Sequence, residues 1–275
     1  MSHRILIAAI LMLRCLPLGA ATLKPETKAA WESYLEEANA AMQARLQPGA
    51  HFLWIDDEPG RAAEIRAKGP HIAPVGPHIP KKVPSGLIHD WLGVGFVPNA
   101  KIEDIVQILR DYDRYKEVYR PGVIESASHG TDGIKDLFSM RLANKSAVAK
   151  TALDTNCEVS YFRVDDRHVY SISNTTHIVE VDHFGTPEQR TLPEDQGTGL
   201  IWRLSSITRL EERDGGVYAE LEAIALSRDI PAAFRLVVTP IVRRVSRDSL
   251  ATSLHQTKAA IDAKMAAHPQ DATSQ

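Results

Sequence analysis

Gly197–Pro231 reads GTGLIWRLSSITRLEERDGGVYAELEAIALSRDIP, and its alternation decides the fold class. Strand side chains point to opposite faces in turn. Trp202, Leu204, Ser206, Thr208 and Leu210 therefore share one face of a first strand, and Val217, Ala219, Leu221, Ala223 and Ala225 one face of a second. Between them, Asp214-Gly215 suits a two-residue type I′ turn, which needs positive φ at both central positions. Closing the hairpin there sets Leu210 opposite Ala219, Leu204 opposite Ala225 and Arg209 opposite Glu220. One face is then apolar and lined by small residues. The other carries Arg203, Arg209, Glu220 and Glu222 and reads as a cross-strand charge ladder. A face so poor in bulk cannot fill a core by itself, so a helix or a ligand must lie against the small residues.

Outward from the hairpin, Pro231 suits the first turn of a helix. Pro240 is expected to break or kink that helix, because proline removes a backbone donor and clashes with the preceding turn. Leu250, Leu254, Thr257 and Ile261 continue at helical spacing, and the tail 267–275 is expected to be disordered. Upstream, strand-like segments fall at 122–129, 134–143, 149–163, 167–181 and 187–193, with turn signals at Gly130–Gly133 and Asp165-Asp166. Before them stands a strand from Gly86 to Val97, then a helix with Ile102, Ile105, Val106, Leu109 and Tyr112 as its stripe. Residues 26–46 are helical by composition and spacing. Pro70, Pro74, Pro77, Pro80 and Pro84 make 66–85 an extended strap between that helix and the main domain. No internal repeat is present.

The chain has 275 residues, 44% hydrophobic and 24% charged, with a net charge of −3. That is globular composition with no basic field to attract nucleic acid. Arg4, the apolar run Ile5–Leu13 and the small residues Gly19-Ala20-Ala21 lay out a cleavable secretory signal over 1–21, too short to span a bilayer. Cleavage after Ala21 would remove Arg4 and Arg14 and take the net charge to −5. A soluble periplasmic or secreted protein is the expectation, read as a monomer with transient membrane contact left open. Of the thiols only Cys157 would remain, so packing rather than a disulfide must hold the fold.

The order strand, helix, antiparallel strands, long terminal helix over residues 86–266 resembles the START-like (SRPBCC, polyketide cyclase and lipid-transport) superfamily, most closely a bacterial group within it. The stretches that carry the resemblance are His89-Asp90-Trp91 with Phe96-Val97-Pro98, Asp111-Tyr112-Asp113-Arg114-Tyr115, Gly199–Leu204, Asp214–Tyr218 through Ser227–Pro231, and Arg247-Asp248-Ser249-Leu250. Thr176-His177-Ile178 departs from it, standing where an arginine would precede the isoleucine, and the extension 22–85 lies outside the superfamily core. The resemblance implies an α+β helix-grip fold, a curved antiparallel sheet wrapped around a long C-terminal helix, here with an N-terminal helical extension. It also implies a cavity between sheet and helix for a hydrophobic small molecule or lipid. The alternative is a cyclase- or aromatase-like enzyme with His89 or His177 as acid–base.

Other candidate chemistry is weak. His89 and Asp90 are strand neighbours and point apart, so they form no local acid–base pair, whereas His89 and Trp91 share a face. Ser227 and Asp229 suit capping of the terminal helix, and no G-x-S-x-G elbow occurs. His168, His177 and His183 match no metal-ligand spacing, and Gly93-Val-Gly95 lies inside a strand and matches no dinucleotide loop. No metal or cofactor is expected. Asp56-Asp57-Glu58 reads as a solvated loop and Cys157 as a small buried residue. What remains is a ligand pocket with few polar groups. Its contacts are expected at Trp91, Phe138, Met140, Trp202, Leu204, Ala223 and Ala225, with Leu142 continuing the Phe138 and Met140 alternation.

Overall fold

The computed structural model describes residues 21–146, 149–230 and 235–267. Residues 1–20 of the signal peptide expected over 1–21, Pro231 and the tail 268–275 lie outside these. The central hairpin forms as its alternation demands. Strands β11 (Arg203–Arg213) and β12 (Gly216–Arg228) pair with Leu210 opposite Ala219, Leu204 opposite Ala225 and Arg209 opposite Glu220. Asp214 and Gly215 both have positive φ, 55° and 75°, as a type I′ turn requires.

Around the hairpin an antiparallel sheet runs in the order β2-β4-β12-β11-β8-β7-β6-β5. Its members are β2 (His71–Pro74), β4 (Gly86–Pro98), β5 (Val123–Asp132), β6 (Lys135–Ser146), β7 (Ala149–Arg163) and β8 (His168–Asp182) with the hairpin. Two short strands attach at its margins, β3 (Lys81–Val83) on β4 and β9 (Arg190–Thr191) on β8. The long strand expected over 187–193 shrinks to these two residues of β9. A separate pair joins β1 (Ala21–Thr22) to β10 (Gln196–Gly197).

The helices are α1 (Pro25–Ala44), α2 (Arg61–Lys68), α3 (Ile102–Arg110), α4 (Tyr115–Val118) and α5 (Arg235–Ala267). Helix α5 runs unbroken across Pro240, against the expected break: one lost hydrogen bond does not end a helix that keeps the bonds on either side. It rests on β4, where a Cβ at Gly93 would lie 2.8 Å from Leu254 Cδ1 and 3.0 Å from Leu250 Cγ. The glycine thus sets how closely helix and sheet approach. Ile261 of α5, Ile102 and Ile105 of α3, and Val97, Val217 and Leu210 of the sheet form one buried cluster. Helix α5 and the short helices after β4 therefore share one face of the sheet, hereafter the inner face. A sheet closed on one side by its terminal helix is the helix-grip fold that the START-like resemblance implies.

The N-terminal extension takes the opposite, outer face. Trp31, Ala38 and Met42 of α1 pack on Ile88, Ile207, Ile224 and Leu226. Leu53, Ile55 and Ile65 pack on Leu92, Val94 and Tyr218. The strap then hems the sheet edge through β2 and β3 and returns to the inner face, where Ile72 and Ile79 meet Trp91 and Leu250. The extended segment expected from its prolines is thus bound to β4 rather than free. Among the described residues no helix is long and apolar enough to cross a membrane.

Candidate ligand-binding hollow

Strand register lays the inner face out in rows. His89, Ala225, Leu204, Thr175, Cys157 and Phe138 form one, from the pairings His89–Ala225, Leu204–Ala225, Thr175–Cys157 and Phe138–Cys157. Leu204 and Thr175 join through two hydrogen bonds of 3.0 Å between the Thr175 hydroxyl and the Leu204 backbone. The next row is Trp91, Ala223, Ser206, Ser173 and Val159, and the one after is Gly93, Leu221, Thr208, Ser171 and Tyr161.

The small residues of the hairpin sit in the middle of these rows and leave them shallow. Leu204, Ser206, Thr208, Ala219, Leu221, Ala223 and Ala225 are all only half-buried. Their alternating neighbours Tyr218, Glu220, Glu222, Ile224 and Leu226, on the outer face, are buried. Helix α5 does not cover the whole floor. Leu250, Leu254 and Ile261 are buried, but Arg243, Arg244, Val245, Arg247, Asp248 and Ser249 are exposed. Among the described side chains of α5, the buried ones begin at Leu250.

At the β6 end of the rows aromatic side chains pack together. The Phe138 ring stacks on Tyr112 with centroids 4.4 Å apart, beside Tyr115, Met140 and Tyr161. Tyr112 donates to buried Asp136 at 2.8 Å, which Arg110 also binds at 2.8 Å through two nitrogens. Tyr119 meets Thr257 of α5 at 3.0 Å.

The expected contacts Trp91, Met140, Leu204, Ala223 and Ala225 lie on this inner face, and Phe138 does too, although its ring is committed to Tyr112. Trp202 does not. β11 begins at Arg203, so the alternation stops one residue short, and Trp202 turns to the outer face against Leu226, Ile88 and Trp31. Its backbone N–H still bonds Leu226 O at 2.7 Å.

His89 is 4% exposed, and Nε2 lies 2.9 Å from Ser227 Oγ. The Ser227 hydroxyl expected to cap the terminal helix is thus engaged with His89. Burial pushes the imidazole down to about 4, so it is neutral at pH 7. Its Nδ1 is buried without a partner, as is Trp91 Nε1 on the same strand face. Asp90 points the other way, as the alternation requires, and accepts from Tyr34 of α1 at 2.8 Å. Burial, reinforced by the Glu222 charge, pushes Asp90 up to about 8.

The charge ladder proves to be buried. Arg209 bridges Glu220 at 2.7 Å and Glu222 at 2.9 Å beneath α1, and Glu220 also accepts from the Trp54 backbone N–H at 2.8 Å. The three acids expected in a solvated loop each hold a different arginine: Asp56 with Arg213, Asp57 with Arg45, Glu58 with Arg61. His168, His177 and His183 pair separately with Asp165, Glu194 and Asp182, and no metal-binding cluster occurs among the described residues. Cys157 is buried, which pushes its thiol up to about 11.

No protein-family model and no curated protein matches the chain. Among solved structures it is similar to a STAR-related lipid transfer protein fragment from Xanthomonas axonopodis, at 14% identity over 71% of this chain and 99% of that one, TM-score 0.46. It is similar also to human STARD10, at 10% identity over 82% of this chain and 89% of that one, TM-score 0.45. A third is the di-domain ARO/CYC StfQ of the steffimycin biosynthetic pathway, at 15% identity over 65% of this chain and 52% of that one, TM-score 0.44. What fixes the helix-grip fold here is the strand order and the seat of α5.

Proposed function

We propose that the protein binds a hydrophobic small molecule or lipid in the hollow between the inner face and α5, and acts by sequestering or carrying it. The observation that carries this reading is the half-buried floor of Leu204, Leu221, Ala223 and Ala225 beneath α5, whose side chains at 243–245 and 247–249 are exposed. Burying apolar ligand surface there contributes about 25 cal/mol per Å², before the cost of ordering the ligand. Two of the similar structures are named for lipid transfer and for ARO/CYC domains. The acid–base alternative gains nothing from His89, whose neighbouring carboxylate, Asp90, sits on the opposite face bonded to Tyr34.

The proposed site comprises Trp91, Met140, Leu204, Ala223 and Ala225, with Phe138 at its β6 end. The N-terminal stretch 1–21, read as a cleavable secretory signal, supports a periplasmic or secreted location for this activity. Native mass spectrometry of protein purified from its own cells, followed by solvent extraction, tests the reading. A co-purifying apolar molecule released on unfolding is the expected result. Apo protein that also fails to take up Nile red would overturn it.

A further inference from the structure

Resting on that reading, we infer that the hollow selects an uncharged, oxygenated amphiphile, and that His89 and Trp91 read a hydroxyl-type group on it which both donates and accepts. Two observations carry this. The first is the pair of orphaned nitrogens. His89 is 4% and Trp91 9% exposed, they stand two residues apart on the inner face of β4, and neither His89 Nδ1 nor Trp91 Nε1 has a partner. Buried polar atoms are ordinarily paired, so two orphans on one face mark a position left for something else.

Their chemistry is complementary. With the Ser227 hydroxyl proton directed to Arg228 O, 3.3 Å away, its oxygen accepts from His89 Nε2–H at 2.9 Å. That tautomer leaves a lone pair on Nδ1, while indole Nε1–H can only donate. A hydroxyl, an undissociated acid or an amide offers both halves of this match. A hydrocarbon offers neither, and an ether or a carboxylate only accepts.

The second observation is the floor itself. Ser171, Ser173, Ser206 and Thr208 stand together at the centre of the inner rows, and none hydrogen-bonds through its side chain to another described residue. The three rows place no Lys, Arg, Asp or Glu on β4, β12, β11 or β8. Those strand positions would not neutralise a charged headgroup, and Asp136, which continues the second row opposite Val159, is held by Arg110. The pocket with few polar groups expected from the sequence is therefore one with hydroxyls at its centre and two unpaired nitrogens beside them. Each hydrogen bond restored by a ligand in such surroundings is worth about tenfold in affinity.

Displacement of Nile red from the full chain by 1-decanol, methyl nonyl ether and decanoate tests the inference. Decanol is expected to compete at a concentration at least tenfold lower than either of the others. It is also expected to shift the Trp91 indole N–H resonance, assigned by its loss in Trp91→Phe. Trp91→Phe and His89→Phe should each reduce the alcohol preference, the ratio of ether to alcohol competition, below threefold. Equal competition by alcohol and ether with an unmoved Trp91 signal would overturn the inference and leave the carrier reading standing. No binding of Nile red or of any competitor would overturn both. The wild-type comparison decides the matter even if a variant fails to fold.

Discussion

The two faces of this one sheet are built to opposite rules. Along β12, Tyr218, Glu220, Glu222, Ile224 and Leu226 are buried under the N-terminal extension, while the alternating Ala219, Leu221, Ala223 and Ala225 are half open under α5. The outer face has bulk, a buried ion network and two packed clusters. The inner face has alanines, serines and a glycine that lets the helix close in. The difference teaches that a sheet anchored on its outer side need not fill its inner side. Packing against α1 and the segment after it supplies cohesion that would otherwise have to come from the hollow.

The sharpest break of this contrast is Arg209→Met. It leaves Glu220 and Glu222 buried without their cation, and urea denaturation should show a loss of about 3–5 kcal/mol. A loss under about 1 kcal/mol would mean that water reaches the outer face. Next comes a matched pair on the two faces of β11, three positions apart. Ile207→Ala, on the outer face and 1% exposed, should cost about 2–5 kcal/mol, and Leu204→Ala, on the inner face, under about 1.5 kcal/mol. Equal costs would erase the distinction between the faces.

A smaller effect appears with pH. Asp90, ordinarily near 3.8, is pushed up to about 8 by burial and by Glu222, so the folded state keeps a proton the unfolded chain has released. Its contribution is full below pH 3.8 and is lost as pH rises toward 8. His89 acts with the opposite sign: lowered from 6.5 to about 4, it costs stability as pH falls through that interval. Between pH 6.5 and 8 Asp90 acts without His89, and thermal melts there should show stability declining with pH. Asp90→Asn keeps an acceptor for Tyr34 and should flatten that slope; an unchanged slope would assign it elsewhere. The smallest change in stability belongs to Ala223→Leu, which adds bulk to an open floor. It should shift stability by under about 0.5 kcal/mol, against about 1–3 for overpacking a filled core. Nile red binding should nevertheless fall, because the added side chain occupies the hollow.

Much of the fold was legible because it is local. The turn at Asp214-Gly215 needs only residues that tolerate positive φ, and with the turn fixed the whole β11–β12 register follows. The period-2 rule also placed His89 with Trp91 and Asp90 against them. It failed at Trp202, where the strand stops one residue early, a boundary that alternation does not mark. It missed the hydroxyl floor, because Ser171 and Ser173 belong to a strand brought beside Ser206 and Thr208 only by the sheet.

The sequence by itself determined the strands, the central hairpin, the terminal helix and which side chains share a face, since these follow from backbone geometry over a few residues. Which face is buried was decided only by the tertiary structure. Alternation separates two faces without saying what will cover either, and the cover on the hairpin's outer face comes from residues more than a hundred positions away. The same distance explains why a charge ladder became a buried network: Arg209 meets its surroundings only when α1, with Met42, closes over it.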